Sequence, residues 1–429
     1  MNRELSVGIA GLGTVGAGVV RLLRENAGII AARAGRPVRV VAVSARDRTR
    51  DRGVSLEGIR WVEDPLVLAT DPAVDVVVEL IGGASGAARD LVEAALSAGK
   101  PVVTANKALI AQAGGELAGL IRGGPGIRFE AAVAGGIPVI KALREGLGAN
   151  RIASVSGIFN GTCNYMLTRM RDEKMEFADV LAEAQALGYA EADPSADIDG
   201  VDTAHKLAIL AAIAFGRQVD FGAVHVEGIR RISAVDIAFA DELGYRIKLL
   251  GIARASAAGI ETRVHPAMVP ETSALAKVDG VNNAVVISGE PVGDIVIQGR
   301  GAGAGPTASA VVADLIDLAR GRQTPMLGMA PDALRAEASV PMAAHRGAYC
   351  LRLMVLDQPG VIADVTAVLR DHGISLETML QRGRSPGDVV PVVIITHETG
   401  EAAMAAALVQ IAALPAVQEP PALIRIEQA

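Results

Sequence analysis

The sequence predicts an α/β protein in three parts. These are an N-terminal Rossmann-type, doubly wound parallel sheet, an α+β middle domain and a C-terminal ferredoxin-like βαββαβ domain. Three observations carry this reading. In the first third of the 429 residues, short aliphatic runs alternate with helical patterns, as right-handed strand–helix–strand crossovers require. In the middle, helical patterns come first and strand patterns follow, which marks a separate α+β unit. The chain ends in the order strand, helix, strand, strand, helix, strand.

The parallel part places strands at Leu5–Ala10, Val38–Val43, Asp75–Leu80, Pro101–Thr104 and Ile127–Glu130, with helices such as Thr14–Asn26 and Ala84–Ser97 between them. It spans residues 1–130 and is completed by a later helix at about 305–320. The middle domain, 131–323, carries helices at Phe177–Leu187, Val201–Phe215 and Ala234–Leu243. Strands follow at Ile247–Ala253, Ile260–Val264, Ala284–Ser288 and Asp294–Gln298. A Pro/Ala/Met-rich stretch, 324–347, reads as a linker. The last domain, 348–429, sets strands Tyr349–Leu356, Ser375–Arg382, Val389–Thr396 and Ala422–Ile426 around helices Gly360–His372 and Glu401–Leu414.

Composition narrows the function classes. Hydrophobic residues make up 51% and charged residues 21%, so the chain is globular. Aromatics are only 3%, which suits aliphatic strands covered on both faces. A net charge of −7 argues against nucleic acid or an anionic membrane as partner. Two cysteines, Cys163 and Cys350, cannot build a disulfide framework or an all-cysteine metal site. The start, Met1-Asn2-Arg3-Glu4, runs straight into a strand with no signal peptide. No apolar run approaches the ~18 residues of a membrane helix. A cytoplasmic protein is expected.

Gly11-Leu12-Gly13-Thr14-Val15-Gly16 follows the first strand and opens the first helix. The first glycine allows a tight turn, the second lets a pyrophosphate reach the backbone, and the third lets helix and strand pack closely. The N–H groups of the helix N-terminus then meet the anion. A dinucleotide is the expected ligand. After the second strand come Ser44-Ala45-Arg46-Asp47-Arg48. A guanidinium at Arg46 suits a 2′-phosphate, which favours NADP; Asp47 keeps NAD open. Two further strand ends face the crevice where such sheets bind ligands: Glu79-Leu80-Ile81-Gly82-Gly83 and Thr104-Ala105-Asn106-Lys107. A lysine in the first turn of a helix opposes the helix dipole, so Lys107 is read as functional.

The richest stretch runs from Gly188 to Lys206. Five carboxylates (Glu191, Asp193, Asp197, Asp199, Asp202) fall within twelve residues. Asp202 and Lys206 lie four apart, on one face of a helix that is otherwise almost wholly apolar. A lysine at the mouth of a buried helix, paired with a carboxylate, is suited to donate a proton. Two plainer readings compete. Most such pairs are solvated and contribute ~0.3–0.5 kcal/mol. Calcium-like spacing is also present, but without the EF-hand glycine and terminal glutamate in register. Crowded carboxylates instead suit a substrate ammonium group. Cys163 is read as packing, and His205 as pointing about 100° away from Lys206.

Together these segments resemble homoserine dehydrogenases in the bacterial form that carries a C-terminal ACT regulatory domain. The matching pieces are G-L-G-T-V-G at 11–16, E-L-I-G-G at 79–83, T-A-N-K at 104–107 and E-A-A-V-A-G-G-I-P at 130–138, followed by G-I-F-N-G-T-C-N-Y at 157–165 and the segment 188–206. The resemblance covers essentially the full length. It implies reversible reduction of L-aspartate 4-semialdehyde to L-homoserine by NAD(P)H, in threonine, methionine and isoleucine biosynthesis. It implies Lys206 as proton donor, Asp202 as its support and a substrate contact, and Lys107 lining the site. Gly188, Glu191 and Asp197 join the substrate site. The cofactor would meet Gly11, Gly13, Thr14, Val15, Gly16, Arg46, Gly82, Thr104, Lys107 and Gly305. A monovalent cation, sodium, is implied at Glu130 and the backbone carbonyls of Val133, Gly135 and Ile137. The middle domain would then bind substrate and dimerise, giving a homodimer or homotetramer. Ala196 departs from relatives that carry an acid there. The turn Asp357-Gln358-Pro359-Gly360-Val361-Ile362-Ala363 resembles the ACT signature and implies an amino-acid effector, threonine. Two alternatives stand beside this: another Rossmann amino-acid dehydrogenase, and a non-catalytic NADP- and amino-acid-responsive regulator. Lys206 and the absence of a basic DNA-reading helix weigh against the second.

Overall fold

The structure is a computed structural model that describes residues 3–121, 126–382 and 387–428. Met1 and Asn2, on which the reading of the chain start partly rests, lie outside the described residues.

The first sheet contains β1 (Leu5–Ala10), β2 (Val38–Ser44), β3 (Arg60–Trp61), β4 (Val76–Glu79), β5 (Val102–Thr104) and β6 (Ile127–Arg128). Their order is β3-β2-β1-β4-β5-β6, all parallel. The order reverses between β1 and β4, so a ligand crevice opens above their carboxyl ends. The aliphatic runs are explained by burial on both faces. One face packs on helices Thr14–Glu25 and Ala304–Ala319, the other on Ala87–Ser97 and Lys107–Leu120. The helix expected near 305–320 therefore returns to this sheet from far along the chain.

The second sheet holds β7 (Arg151–Ile158), β8 (His225–Val226), β9 (Tyr245–Ser256), β10 (Gly259–Pro270), β11 (Asn282–Glu290), β12 (Gly293–Arg300), β13 (Ser339–Val340), β14 (Arg346–Leu356), β15 (Leu376–Gln381), β16 (Val389–Thr396), β17 (Thr399–Gly400) and β18 (Ala422–Ile426). Its main path is β12-β11-β7-β9-β10-β18-β14-β16-β15. The last four keep the ferredoxin-like order. What the sequence left invisible is that they continue the middle sheet. β18 runs parallel to β10, pairing Ala267 with Arg425 and Met268 with Ile426, and antiparallel to β14. Nor is the stretch 324–347 a free linker. Met326 and Leu327 are buried, and β13 pairs with β10. β7 was not expected: its Ala, Ser and Gly residues blur the alternation, yet it lies between β11 and β9 in the sheet.

Candidate active site

A cleft of about 600 Å³ opens between the first sheet and the middle of the second. Val15, Lys107, Asn160, Asp197, Asp202 and Lys206 are on its walls.

The glycine loop is shaped for a dinucleotide. Gly11 has φ +97°, and a Cβ there would fall 2.3 Å from the Leu80 carbonyl oxygen. A Cβ on Gly16 would fall 2.0 Å from the Gly11 carbonyl oxygen. At Gly13 a Cβ would meet nothing within 4 Å, so the backbone lies open on the ligand side. Gly13 is also the N-cap of helix Thr14–Glu25 and supplies no side-chain cap, as an incoming anion requires. Thr14 and Val15 form the first turn of that helix. The residues present thus fit a pyrophosphate.

Glu79 and Thr104 turn out to organise the neighbouring loop. Glu79 is fully buried and accepts from the Ile81 and Gly82 N–H groups at 2.8 and 3.0 Å, and Thr104 Oγ1 donates to it at 2.6 Å. Gly82 is exposed beyond them with φ +85°. Arg46 is exposed just past β2. Sequence reasoning missed Arg52, whose Nε donates to the Leu12 carbonyl at 3.1 Å and whose guanidinium lies 5.4 Å over Trp61. It joins the arginine-rich loop to the glycine loop. Gly305 lies exposed in the first turn of helix Ala304–Ala319, beside Gly301–Gly303 of the cleft wall.

The acidic segment builds the floor. Helix Val201–Phe215 presents Asp202 and Lys206 one turn apart, and its remaining faces are buried. Lys206 Nζ donates to Asp202 Oδ2 and to the Phe159 carbonyl, each at 2.6 Å. Lys107, arriving from another helix, puts its Nζ 3.1 Å from Asp202 Oδ1. Burial opposes ionisation of Asp202, but the two lysines outweigh it and hold its carboxyl well below the usual range. Asp202 in turn pushes the Lys107 pKa up against burial. Asp197 goes the other way: burial, then the charge of Asp202, raise it. Gly188 lines the cleft, while Glu191 stands exposed at the rim, its charge reaching Lys107 only through space. Asn160 was missed as a site residue, although it sits in the matching piece 157–165; its local signal is an asparagine placed to cap the helix that begins at Gly161. Cys163 is buried, with its thiol donating to the Asp197 carbonyl at 3.2 Å. His205 stacks on Phe221 with ring centroids 4.4 Å apart.

Beside the cleft, Glu130 accepts from the Ile140 and Lys141 N–H groups at 3.0 and 2.9 Å. Burial and then neighbouring Asp314 push its carboxyl up to about 7, against the pull of Lys141. Val133 and Ile137 are buried, and Ala134 and Gly135 both take positive φ, +53° and +52°. Among the described residues no group of three or more His, Cys, Asp or Glu could hold a metal ion; carbonyl oxygens are a different donor set.

Residues 11–123 match the family described as homoserine dehydrogenase, NAD binding domain, and 138–316 the family described as homoserine dehydrogenase. A homoserine dehydrogenase of Pseudomonas aeruginosa is 47% identical over 434 residues, covering 99% of each chain. The chain belongs to the homoserine dehydrogenase family. The crystal structure of a homoserine dehydrogenase from Thiobacillus denitrificans is similar with a TM-score of 0.94 and 48% identity, covering 99% of both chains. A hyperthermophilic archaeal homoserine dehydrogenase in complex with NADPH is 26% identical, with a TM-score of 0.65 over 75% of this chain and 100% of its own. Residues 351–413 match the ACT domain. Homoserine dehydrogenase activity, an NAD(P)-linked oxidoreduction, is thus the activity of this chain, and its ACT domain implies an amino-acid effector.

Proposed function

We propose that Lys206 donates the proton to the aldehyde oxygen as L-aspartate 4-semialdehyde becomes L-homoserine. The observation that carries this is the pair of lysines sharing one buried carboxylate: Nζ of Lys206 and Lys107 lie 2.6 and 3.1 Å from Asp202. An ammonium has three N–H groups. Lys206 uses two, on Phe159 and Asp202, which leaves one for an acceptor in the cleft. Asp202 raises the pKa of Lys107, so Lys107 stabilises the developing negative oxygen as a fixed charge. Asp197 and Glu191 attract the substrate α-ammonium and orient it; Asp202 and Gly188 complete the pocket. Reduced nicotinamide, when bound, supplies the hydride that adds to the aldehyde carbon. In the reverse direction Lys206, as a neutral amine, takes the hydroxyl proton.

NADP is the preferred cofactor on this reading. Arg46 is free to meet a 2′-phosphate, while Asp47 turns its carboxylate onto the N–H and hydroxyl of Thr49 at 2.8 and 2.7 Å and so competes less for a ribose. The archaeal relative solved with NADPH is in keeping with this. Thr104 acts on the cofactor through Glu79 and the Gly82 loop, and Gly305 from the helix facing it. Sodium at Glu130 and the carbonyls of Val133, Gly135 and Ile137 would relieve the crowding of Glu130 and Asp314. Threonine is the effector, held at the Gly360 turn that opens helix Val361–Asp371. The chain works as a homodimer or homotetramer; β12, an edge strand whose Val296 is exposed, is suited to pair across a two-fold axis. Its place is the cytoplasm; among the described residues no helix is long and apolar enough to cross a membrane. Residues 1–130 with the late helix, 131–323 and 348–429 are its functional units. The test is a spectrophotometric assay of homoserine with NADP, then NAD, with and without threonine. NADP-linked turnover that threonine suppresses is expected; no turnover with either cofactor would overturn the reading.

A further inference from the structure

We propose that Asn160 is a positioning residue that sets the spacing between the ammonium-binding carboxylate and the proton-donor pair. The proposal rests on the substrate roles given above for Asp197 and Asp202.

The argument starts from the amide. Asn160 is 3% exposed and precedes helix Gly161–Glu173. Its Oδ1 accepts from the Cys163 N–H at 2.8 Å, capping that helix. A backbone N–H can only donate, so the oxygen must face the helix and the NH₂ the cleft. The NH₂ has two hydrogens and meets two acceptors: Asp197 Oδ1 at 2.7 Å and Asp202 Oδ2 at 2.9 Å. One side chain therefore joins three separate segments: the cap of one helix, the loop carrying Asp197, and the helix carrying Asp202 and Lys206.

Without that bridge the two carboxylates would face one another with less to hold them. Asp197 is also faced by Lys206 from helix Val201–Phe215, by Lys107 from helix Lys107–Leu120, and by Thr162 and the Cys163 thiol from helix Gly161–Glu173. Of these, the two lysines lie toward Asp202. Among the described residues Asn160 alone contacts both carboxylates with a neutral donor, so it can fix their spacing without adding charge. That spacing sets how far the bound ammonium lies from the reacting oxygen, a distance to which rate is steep.

Two substitutions separate this from simple capping. Asn160→Ser keeps an oxygen able to cap but cannot span both carboxylates. Asn160→Asp keeps the size and the cap oxygen but replaces the donor with a third carboxylate. For the full-length Ser variant, kcat/KM for homoserine should fall about 10- to 100-fold, mostly through KM. The acid limb of its pH profile should move upward as Asp197 loses a donor that favours its charged form. The NADP dissociation constant should hold. The Asp variant should lose more at pH 8 and recover part of it as pH is lowered. A folded Ser or Asp variant with the wild-type KM and acid limb overturns the proposal, as does an equal loss in both with unshifted pH profiles. Homoserine turnover by the unaltered chain is read in the same assay. Its absence would sink the substrate reading along with this proposal, whereas normal turnover with indifferent variants would sink this proposal alone.

Discussion

Two buried charge networks in this molecule look alike and are built to opposite ends. One is the lysine pair on Asp202. The other joins the ACT domain to the middle domain around Arg425, whose side chain is 4% exposed. Its guanidinium donates to both oxygens of Glu227, each at 2.9 Å, and to Glu401 at 3.0 Å. Tyr349 donates to Glu401 at 2.8 Å, and His225 pairs with Glu227 at 2.7 Å. Nearby, Arg263 meets Glu261 and Glu427 at 2.8 and 2.7 Å. Here each arginine has two carboxylate partners, and none of these residues lines the cleft. On Asp202, by contrast, two cations share one anion on the wall of the cleft. A network with unused donors facing a cavity is ready for a ligand; a saturated one holds structure together.

That contrast is broken or sharpened first by removing the central cation of each. Lys206→Ala should lower kcat about 10³-fold while leaving cofactor affinity within a few-fold, because the proposed proton donor is lost and Lys107 still neutralises Asp202. Its melting temperature should change little. Wild-type turnover in this variant would end the proton-donor assignment. Arg425→Met should do the reverse: kcat within a few-fold at a temperature where it is folded, but a stability loss of about 3 kcal/mol, as Glu401, only 13% exposed, is left without its cation. Glu227 adds less, since its side chain is 41% exposed. Burial opposes its ionisation, but His225 and Arg425 hold its carboxyl well below the ordinary value. A depressed acid stabilises the fold above its unfolded pKa of 4.5, and that contribution is lost as pH falls toward the folded value. The stability gap between wild type and Arg425→Met, measured by urea titration, should therefore narrow below about pH 4.5. A gap that widens on acidification would mean that Glu227 is not part of the seam.

A third substitution asks whether the saturated network also speaks to the open one. Glu227 is followed by Gly228, where a Cβ would fall 2.0 Å from the Ile198 carbonyl oxygen, and the Ile229 N–H donates to that same oxygen at 2.8 Å. Residues 227–229 are thus pressed against the backbone between Asp197 and Asp199. A shift of β18 has a short, hydrogen-bonded route to the backbone beside Asp197, one of the carboxylates proposed to hold substrate. Glu227→Gln should raise the threonine concentration needed for half inhibition several-fold, with uninhibited turnover within two-fold of wild type. Unchanged inhibition would place the coupling elsewhere.

How much of this was legible follows from where each signal is stored. The parallel sheet, the glycine loop and the Asp202–Lys206 pair are local: periodicity and spacing reveal them within a dozen residues. Helix Val201–Phe215 and strands Val389–Thr396 and Ala422–Ile426 have the bounds the pattern implies. What stayed hidden depends on distant segments. Arg425 reads as one charged residue in a strand until β18 is placed beside β10. Lys107 and Lys206 are 99 positions apart, and only the fold makes them share Asp202. Asn160 shows itself as a helix cap, and nothing local says that its other end bridges two acids. Glu79 was legible as a residue at a strand end facing the crevice, but not as the buried acid that shapes the Gly82 loop.

Arg46 gives the smallest effect and tests the contrast from outside, because it is an exposed charge belonging to neither network. Arg46→Ala should leave stability unchanged, since an exposed side chain costs little to remove. Its value lies only in what it meets. A guanidinium on a 2′-phosphate makes a charge-assisted contact, and a ribose hydroxyl offers nothing equivalent. The KM for NADP should rise about ten-fold and that for NAD less than two-fold, so selectivity shifts toward NAD by roughly one order of magnitude. Equal changes for both cofactors would assign the 2′-phosphate to another group of the loop, and Arg48, exposed two residues on, would be the next to replace.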